Sequence, residues 1–158
     1  IYDIIYKNFS KYFEDLVVDN DVKIKIFGSR KNLPNKILDI FENIEKLSLN
    51  NSTLNLNIAF NYGFKHEIKN VLKKVRNNSL EINLNNEQEI DKLFDIGKFP
   101  DPDILIRTGG YKRLSNFIMY NLTYTELFFT DTLWPDFSEE EFNDIIKEYS
   151  NIRRKYGL

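Results

Sequence analysis

Cysteine is absent from this chain, which excludes disulfides and zinc–thiolate centres and leaves the redox compartment open. Histidine occurs once, at His66, with no cysteine or second histidine near it, so a structural role is expected rather than a catalytic or metal site. No apolar run approaches the roughly 20 residues that span a bilayer, and no signal-peptide pattern opens the chain. A protein that is soluble and cytoplasmic, or peripheral at a membrane, is expected. Neither a Walker lysine motif nor a GxGxxG is present, which disfavours a nucleotide-binding module. Excess positive charge is missing as well. The formal net charge is -2 and the pI about 5.5, so a general nucleic-acid surface is excluded and any phosphate site has to be a local basic cluster. Arg107, Arg113 and the run Arg153-Arg154-Lys155 are the candidates.

What the chain does have is apolar and aromatic content, 42% and 15% over 158 residues, enough for one globular core of ordinary size; a single domain over 1–158 is expected. Asparagine occurs 20 times without a repeat and reads as coding bias. In order, Ile4, Ile5, Phe9, Tyr12, Phe13, Leu16 and Val17 predict an amphipathic helix to about Asp19. Val22 to Phe27 alternates apolar residues with lysines and ends at Gly28, a strand with one solvated face. Pro34 opens a helix whose apolar face is Ile37, Ile40, Phe41, Ile44 and Leu47, running to about Leu49. Leu54, Leu56, Ile58 and Phe60 alternate with polar residues as a second strand ending at Tyr62-Gly63. The next helix starts near His66 and buries Ile68, Val71, Leu72 and Val75. Asn86 with Glu89, and Ser138 with Glu141, have capping-box spacing. The first precedes a short helix, the second a last helix carrying Phe142, Ile145, Ile146, Tyr149 and Ile152, with Arg153, Arg154 and Lys155 at its negative end.

The stretch from Asp103 to Pro135, DILIRTGGYKRLSNFIMYNLTYTELFFTDTLWP, is the densest in chemistry. Ile104, Leu105 and Ile106 predict a buried strand that delivers Arg107 into a crevice. Gly109-Gly110 turns the chain with positive φ and brings backbone N–H groups toward an anion, and Ser115 is placed to cap a helix beginning at Asn116. Two guanidiniums grip phosphate oxygens in pairs and keep their charge near neutral pH. The alternative at this point is that Arg107 pairs with a structural carboxylate and the glycines make only a tight turn. Strands alternating with helices predict an α/β fold with a mainly parallel sheet, whose ligands gather at the outgoing strand ends. Gly28-Ser29-Arg30, Asn61-Tyr62-Gly63 and Arg107-Thr108-Gly109 all follow predicted strands, and the most ordinary expectation for Arg30 is a solvated loop charge.

DILIRTGG, RLSNF, YTELFFTD and LWPDF, with VKIKIFGSRKNLP and LNIAFNYGFKHEI upstream, closely resemble the signature of the cis-prenyltransferases, which include undecaprenyl and dehydrodolichyl diphosphate synthases. The resemblance implies this same α/β fold and an enzyme that condenses isopentenyl diphosphate onto an allylic diphosphate such as farnesyl diphosphate, repeatedly, to build a long Z-polyprenyl diphosphate for lipid carriers of glycan synthesis. It implies that Arg107, Gly109, Arg113, Leu114 and Ser115 bind the isopentenyl diphosphate, that Glu126 is associated with Mg²⁺, and that Leu54 lies near the closed end of a tunnel for the growing chain. A homodimer follows by the same resemblance. The family begins with an MDGNGRWA-like segment holding its essential aspartate, which these residues lack. They are therefore expected to be the later two-thirds of a longer enzyme and, alone, to be inactive. Lys112 stands where some relatives have histidine, Ser29 where they have aspartate, and Lys155-Tyr156-Gly157 where they often have Arg-x-Gly. The second functional reading is a non-catalytic partner subunit of a heteromeric synthase; such partners lack the RTGG and RLSN residues present here.

Overall fold

Apolar residues at every second position, separated by lysines, favour a strand with one face in the core. In the computed structural model, which describes residues 12–13, 15–77 and 82–153, that segment is β1 (Val22–Phe27), with Val22, Ile24 and Ile26 buried and Lys25 exposed. It pairs in parallel with β2 (Leu54–Ala59), in register from Val22↔Leu54 to Phe27↔Ala59. Between them runs α2 (Asn35–Leu47), with Pro34 as its N-cap at φ -59°, the dihedral its ring already imposes. Residues 15–19 form the helical stretch α1 that leads into β1; the positions of Ile4, Ile5 and Phe9 lie outside the described residues.

The described residues fall into two groups, one ending at Glu67 and one starting at Ile68. In the first, Ile37, Phe41 and Ile44 of α2 bury their side chains with Val17, Val22, Ile24 and Ile26. Each such side chain stabilises by about 1.5–3 kcal/mol. Phe41 meets the edge of Phe60 at 5.1 Å between centroids. Helix side chains also satisfy the outer flank of β1. The Ile24 N–H donates to Ser48 Oγ at 3.0 Å and the Ile26 N–H to Glu45 Oε1 at 2.8 Å, so the flank away from β2 carries no bare donors at these two residues. Ser48 is fully buried and in turn donates to the Ile44 carbonyl at 2.8 Å. Asn51 Nδ2 donates to the carbonyls of Val17 and Val22 at 2.7 and 3.0 Å, which joins α1 to β1.

Several expected core positions are exposed instead. Tyr12 and Leu47 face solvent. Helix α2 ends at Leu47 because Ser48 turns inward to serve β1, and this sets Leu47 and Leu49 outside. On β2, Leu54 is exposed while Leu56 and Ile58 are half-buried, as expected where a strand has one paired flank.

In the second group, α3 (Phe64–Arg76) continues past the boundary, with Val71 buried, Ile68 and Val75 half-buried, and Leu72 exposed, contrary to expectation. Helix α4 (Glu87–Asp91) is capped by Asn86, whose Oδ1 accepts from the Gln88 N–H at 3.1 Å. Leu93, Phe94 and Ile96 follow as buried residues, Ile96 in the 3₁₀ turn Ile96–Lys98. Strands β3 (Ile104–Arg107) and β4 (Glu126–Phe129) pair in parallel, Ile104 opposite Glu126 and Arg107 opposite Phe129. A 3₁₀ turn, Trp134–Asp136, precedes α5 (Glu139–Asn151). There the predicted cap forms, the Glu141 N–H donating to Ser138 Oγ at 3.2 Å.

Two corrections belong to this group. Ile104, Leu105 and Ile106 are half-buried rather than buried, because a pair of strands leaves each one bare flank. Of the predicted α5 stripe only Ile145 is buried; Phe142, Ile146 and Ile152 are exposed, and Tyr149 donates its hydroxyl to Asp103 Oδ1 at 2.9 Å. The architecture is α/β: α2 connects the parallel pair β1 and β2, and a helix-free loop connects the parallel pair β3 and β4. Among the described residues the strands form two two-stranded sheets.

Candidate functional site

Arg107 is the last residue of β3, so its side chain leaves from the outgoing end of the strand pair, as a parallel α/β arrangement requires of a ligand site. The chain then turns at Gly109 and Gly110, with φ +88° and +78°. The expected positive φ is present, but the N–H groups do not wait for an anion. Gly109 donates to the Thr132 carbonyl at 2.8 Å and Gly110 to the Thr130 carbonyl at 2.9 Å, tying the turn to the segment that follows β4. The glycines serve geometry. An added Cβ at Gly110 meets Asp131 Oδ1 at 3.2 Å, while the space beside Gly109 is open.

The predicted helix at Asn116 is not formed. Ser115 and Asn116 have φ +49° and +61°, and the Phe117 N–H donates to the Leu114 carbonyl at 3.0 Å, which is the mirror-image turn with two left-handed central residues. Asparagine tolerates that conformation, and an asparagine directly after serine was the signal available in the sequence. The turn does what a cap would not: it aims Ser115 Oγ back at both arginines. The hydroxyl oxygen accepts from Arg107 Nη1 at 3.0 Å and from Arg113 Nε at 3.3 Å. Arg107 Nη1 also donates to the Arg113 carbonyl. Tyr111, which the sequence reading did not single out, lies with its ring centroid 4.1 Å from the Arg113 guanidinium carbon and 5.9 Å from that of Arg107.

Two like charges are thus gathered on one neutral oxygen. Among the described residues neither arginine is within ion-pair distance of a carboxylate. Such an arrangement favours a ligand with at least two negative oxygens. Leu114 is half-buried beneath the turn and Lys112 is exposed beside it. Arg153 is exposed just past α5; Arg154 and Lys155 lie outside the described residues.

Glu126 is not brought to this cluster. It is the first residue of β4, opposite Ile104, whereas Arg107 is opposite Phe129. Three residues along a strand separate the two levels by about 10 Å and place them on opposite faces. No group of three or more Asp, Glu, His or Cys residues forms a metal cage among the described residues. A hard divalent cation fills its shell with oxygens, and Mg²⁺ takes most of them from water and phosphates with one or two carboxylates.

Downstream of the turn, Tyr120 stacks on Phe94 at 3.9 Å and donates its hydroxyl to Asp91 Oδ1 at 2.6 Å. Burial first, and then the Asp91 carboxylate, push its phenol up to about 12. In the other group, the outgoing ends of β1 and β2 also meet. Gly28 has φ +117° with the Phe60 carbonyl where a Cβ would stand, Ser29 N–H donates to the Asn61 carbonyl at 3.2 Å, and Asn61 Nδ2 to the Ser29 carbonyl at 2.9 Å. Arg30 is not the solvated charge expected. It donates to the Ile26 carbonyl at 2.9 Å, pairs with Glu45 at 3.4 Å and lies 4.9 Å over the Phe41 ring. His66 is exposed in the first turn of α3.

Residues 1–157 match the family model described as "Putative undecaprenyl diphosphate synthase". Among curated proteins, the isoprenyl transferase of Aquifex aeolicus is 40% identical over 136 residues, 86% of this chain and 58% of that protein. A tritrans,polycis-undecaprenyl-diphosphate synthase (geranylgeranyl-diphosphate specific) of Pyrobaculum aerophilum is 36% identical over 146 residues, 91% of this chain and 61% of that protein. The chain therefore spans about three-fifths of the length of these relatives. Among solved structures, lavandulyl diphosphate synthase from Lavandula x intermedia, in complex with dimethylallyl diphosphate, superposes with a TM-score of 0.86 at 31% identity, covering 98% of this chain and 69% of that one.

Proposed function

The chain belongs to the undecaprenyl diphosphate synthase family of prenyltransferases, and from that premise we propose that it carries the isopentenyl-diphosphate site of a cis-prenyltransferase. The observation that supports this most directly is the pair Arg107 and Arg113 held on Ser115 Oγ with no carboxylate against them among the described residues. The reaction breaks the allylic C–O bond with loss of diphosphate, forms a C–C bond from the homoallylic double bond of isopentenyl diphosphate, and releases one proton. Little of it needs a covalent protein group; positioning and charge neutralisation do the work. Arg107 and Arg113 orient the isopentenyl diphosphate, and the open space beside Gly109 admits its oxygens. Farnesyl diphosphate or a similar allylic diphosphate is the second substrate, and a long Z-polyprenyl diphosphate for glycan carriers is the product. We place Mg²⁺ with the diphosphates rather than in a protein cage, and no step is assigned to it. A homodimer, acting at or near a membrane surface, is part of the same proposal; no helix among the described residues is long and apolar enough to cross a membrane.

Arg→Lys substitutions in the natural full-length protein test the site. Lysine keeps the charge but loses the fork and the bond to Ser115, an effect of about 1–3 kcal/mol, or roughly 5- to 150-fold. For Arg107→Lys and Arg113→Lys the KM for isopentenyl diphosphate rises by that factor while the allylic KM moves little, and Ser115→Ala follows more weakly. Unchanged isopentenyl diphosphate kinetics with lowered stability reassign Arg107 to a structural role.

A further inference from the structure

We propose that Tyr111 is a positioning residue for the guanidinium pair, holding Arg113, and with it Arg107, in the geometry that receives a diphosphate; this rests on the diphosphate reading of the site. Two guanidiniums sharing one hydroxyl oxygen repel each other, and that oxygen is neutral. Besides the Arg113 carbonyl, which accepts from Arg107, a nearby group that offsets the repulsion is the Tyr111 ring face, 4.1 Å from Arg113 and 5.9 Å from Arg107, within the range where a ring quadrupole attracts a cation. A carboxylate would offset it more strongly, but it would also occupy the N–H donors and repel the ligand. An aromatic face does neither. It contacts a guanidinium through its π surface and leaves the in-plane donors available.

The donor inventory agrees. Arg107 spends Nη1 on the Arg113 carbonyl and Ser115, and Arg113 spends Nε on Ser115. Arg107 Nε and Nη2 and both terminal nitrogens of Arg113 have no partner among the described residues and remain for phosphate oxygens. Gly110 sets the placement: its φ of +78° and its N–H bond to Thr130 bring the chain round just before Tyr111. The ring is exposed, so it contributes little to the core and its contact with the arginines is the use the structure shows for it.

The test uses Tyr111→Phe and Tyr111→Leu in the natural full-length protein, with Arg107→Lys as the reference. An exposed cation–π contact corresponds to about 2- to 6-fold in affinity. In Tyr111→Leu, the KM for isopentenyl diphosphate and the Kd for inorganic diphosphate, read by calorimetry, rise by that factor, while kcat, the allylic KM and the melting temperature hold. Tyr111→Phe restores the wild-type values because the ring face is kept. If Arg107→Lys weakens diphosphate binding but Tyr111→Leu does not, or if Tyr111→Phe is as impaired as Tyr111→Leu, this role of Tyr111 is overturned and the site reading stands. If Arg107→Lys also leaves diphosphate binding unchanged, the site reading itself fails.

Discussion

Ser115 adopts φ +49°, a conformation that costs a residue with a β-carbon about 1–3 kcal/mol, and it does so where its Oγ meets both arginines. Local strain and the meeting point of the two arginines therefore coincide at one residue. Asp21 is the other informative left-handed position, at φ +50°. Its carboxylate accepts from the Thr53 hydroxyl at 2.7 Å and from the N–H groups of Thr53 and Ser52 at 3.0 and 3.2 Å, linking the starts of β1 and β2. These bonds, that from the Thr53 hydroxyl foremost, hold its pKa below the ordinary 3.8. A carboxyl depressed in the folded state adds stability above its unfolded pKa and loses it as pH falls through the folded one. Asp21→Asn, which tolerates the same φ, should lower the melting temperature at pH 7. The gap to wild type should close as the pH falls below about 3.8, and a pH series of thermal melts reads it directly; a gap constant with pH would mean the charge is not what matters.

At the scale of elements, the joint between α2 and β1 depends on Ser48. Its hydroxyl accepts the Ile24 N–H and donates to Ile44 in a fully buried position. Ser48→Ala leaves that N–H without a partner at a cost of about 1–3 kcal/mol, measurable by urea unfolding, with no change in diphosphate binding expected. Periodicity made α2, β1 and β2 legible because each buries one face at a regular spacing, and the Asn86 and Ser138 caps were legible because they are local chemistry. The helix at Asn116 was misread: Ser-Asn fits a cap and a mirror-image turn equally well, and the hydrogen bond from Arg107 to Ser115 comes from the end of β3, eight residues back. Leu72 and Ile146 were misplaced because helical period gives a stripe's direction and not its width.

At the scale of the molecule, the assignment of a metal role to Glu126 meets the register of β3 and β4, which sets it at the incoming end and on the face opposite Arg107. Glu126→Gln in the natural full-length protein separates the possibilities. A carboxylate that helps to hold Mg²⁺ predicts a several-fold fall in kcat and a higher Mg²⁺ requirement with the melting temperature held, whereas a residue that only begins β4 predicts an unchanged Mg²⁺ titration.

The residues from Asp103 to Pro135 determined by themselves the family, the strand-to-turn order and the pair of arginines, because motif, spacing and side-chain chemistry are properties of the chain. Tertiary structure alone decided how those residues, and others such as Arg30, are used. The Gly109 and Gly110 N–H groups go to Thr132 and Thr130, Arg30 turns inward to Glu45, and Tyr111 lies against both guanidiniums. Each of these outcomes depends on which donors, charges and rings the fold brings within a few ångströms, and those distances are set by packing rather than by order along the chain.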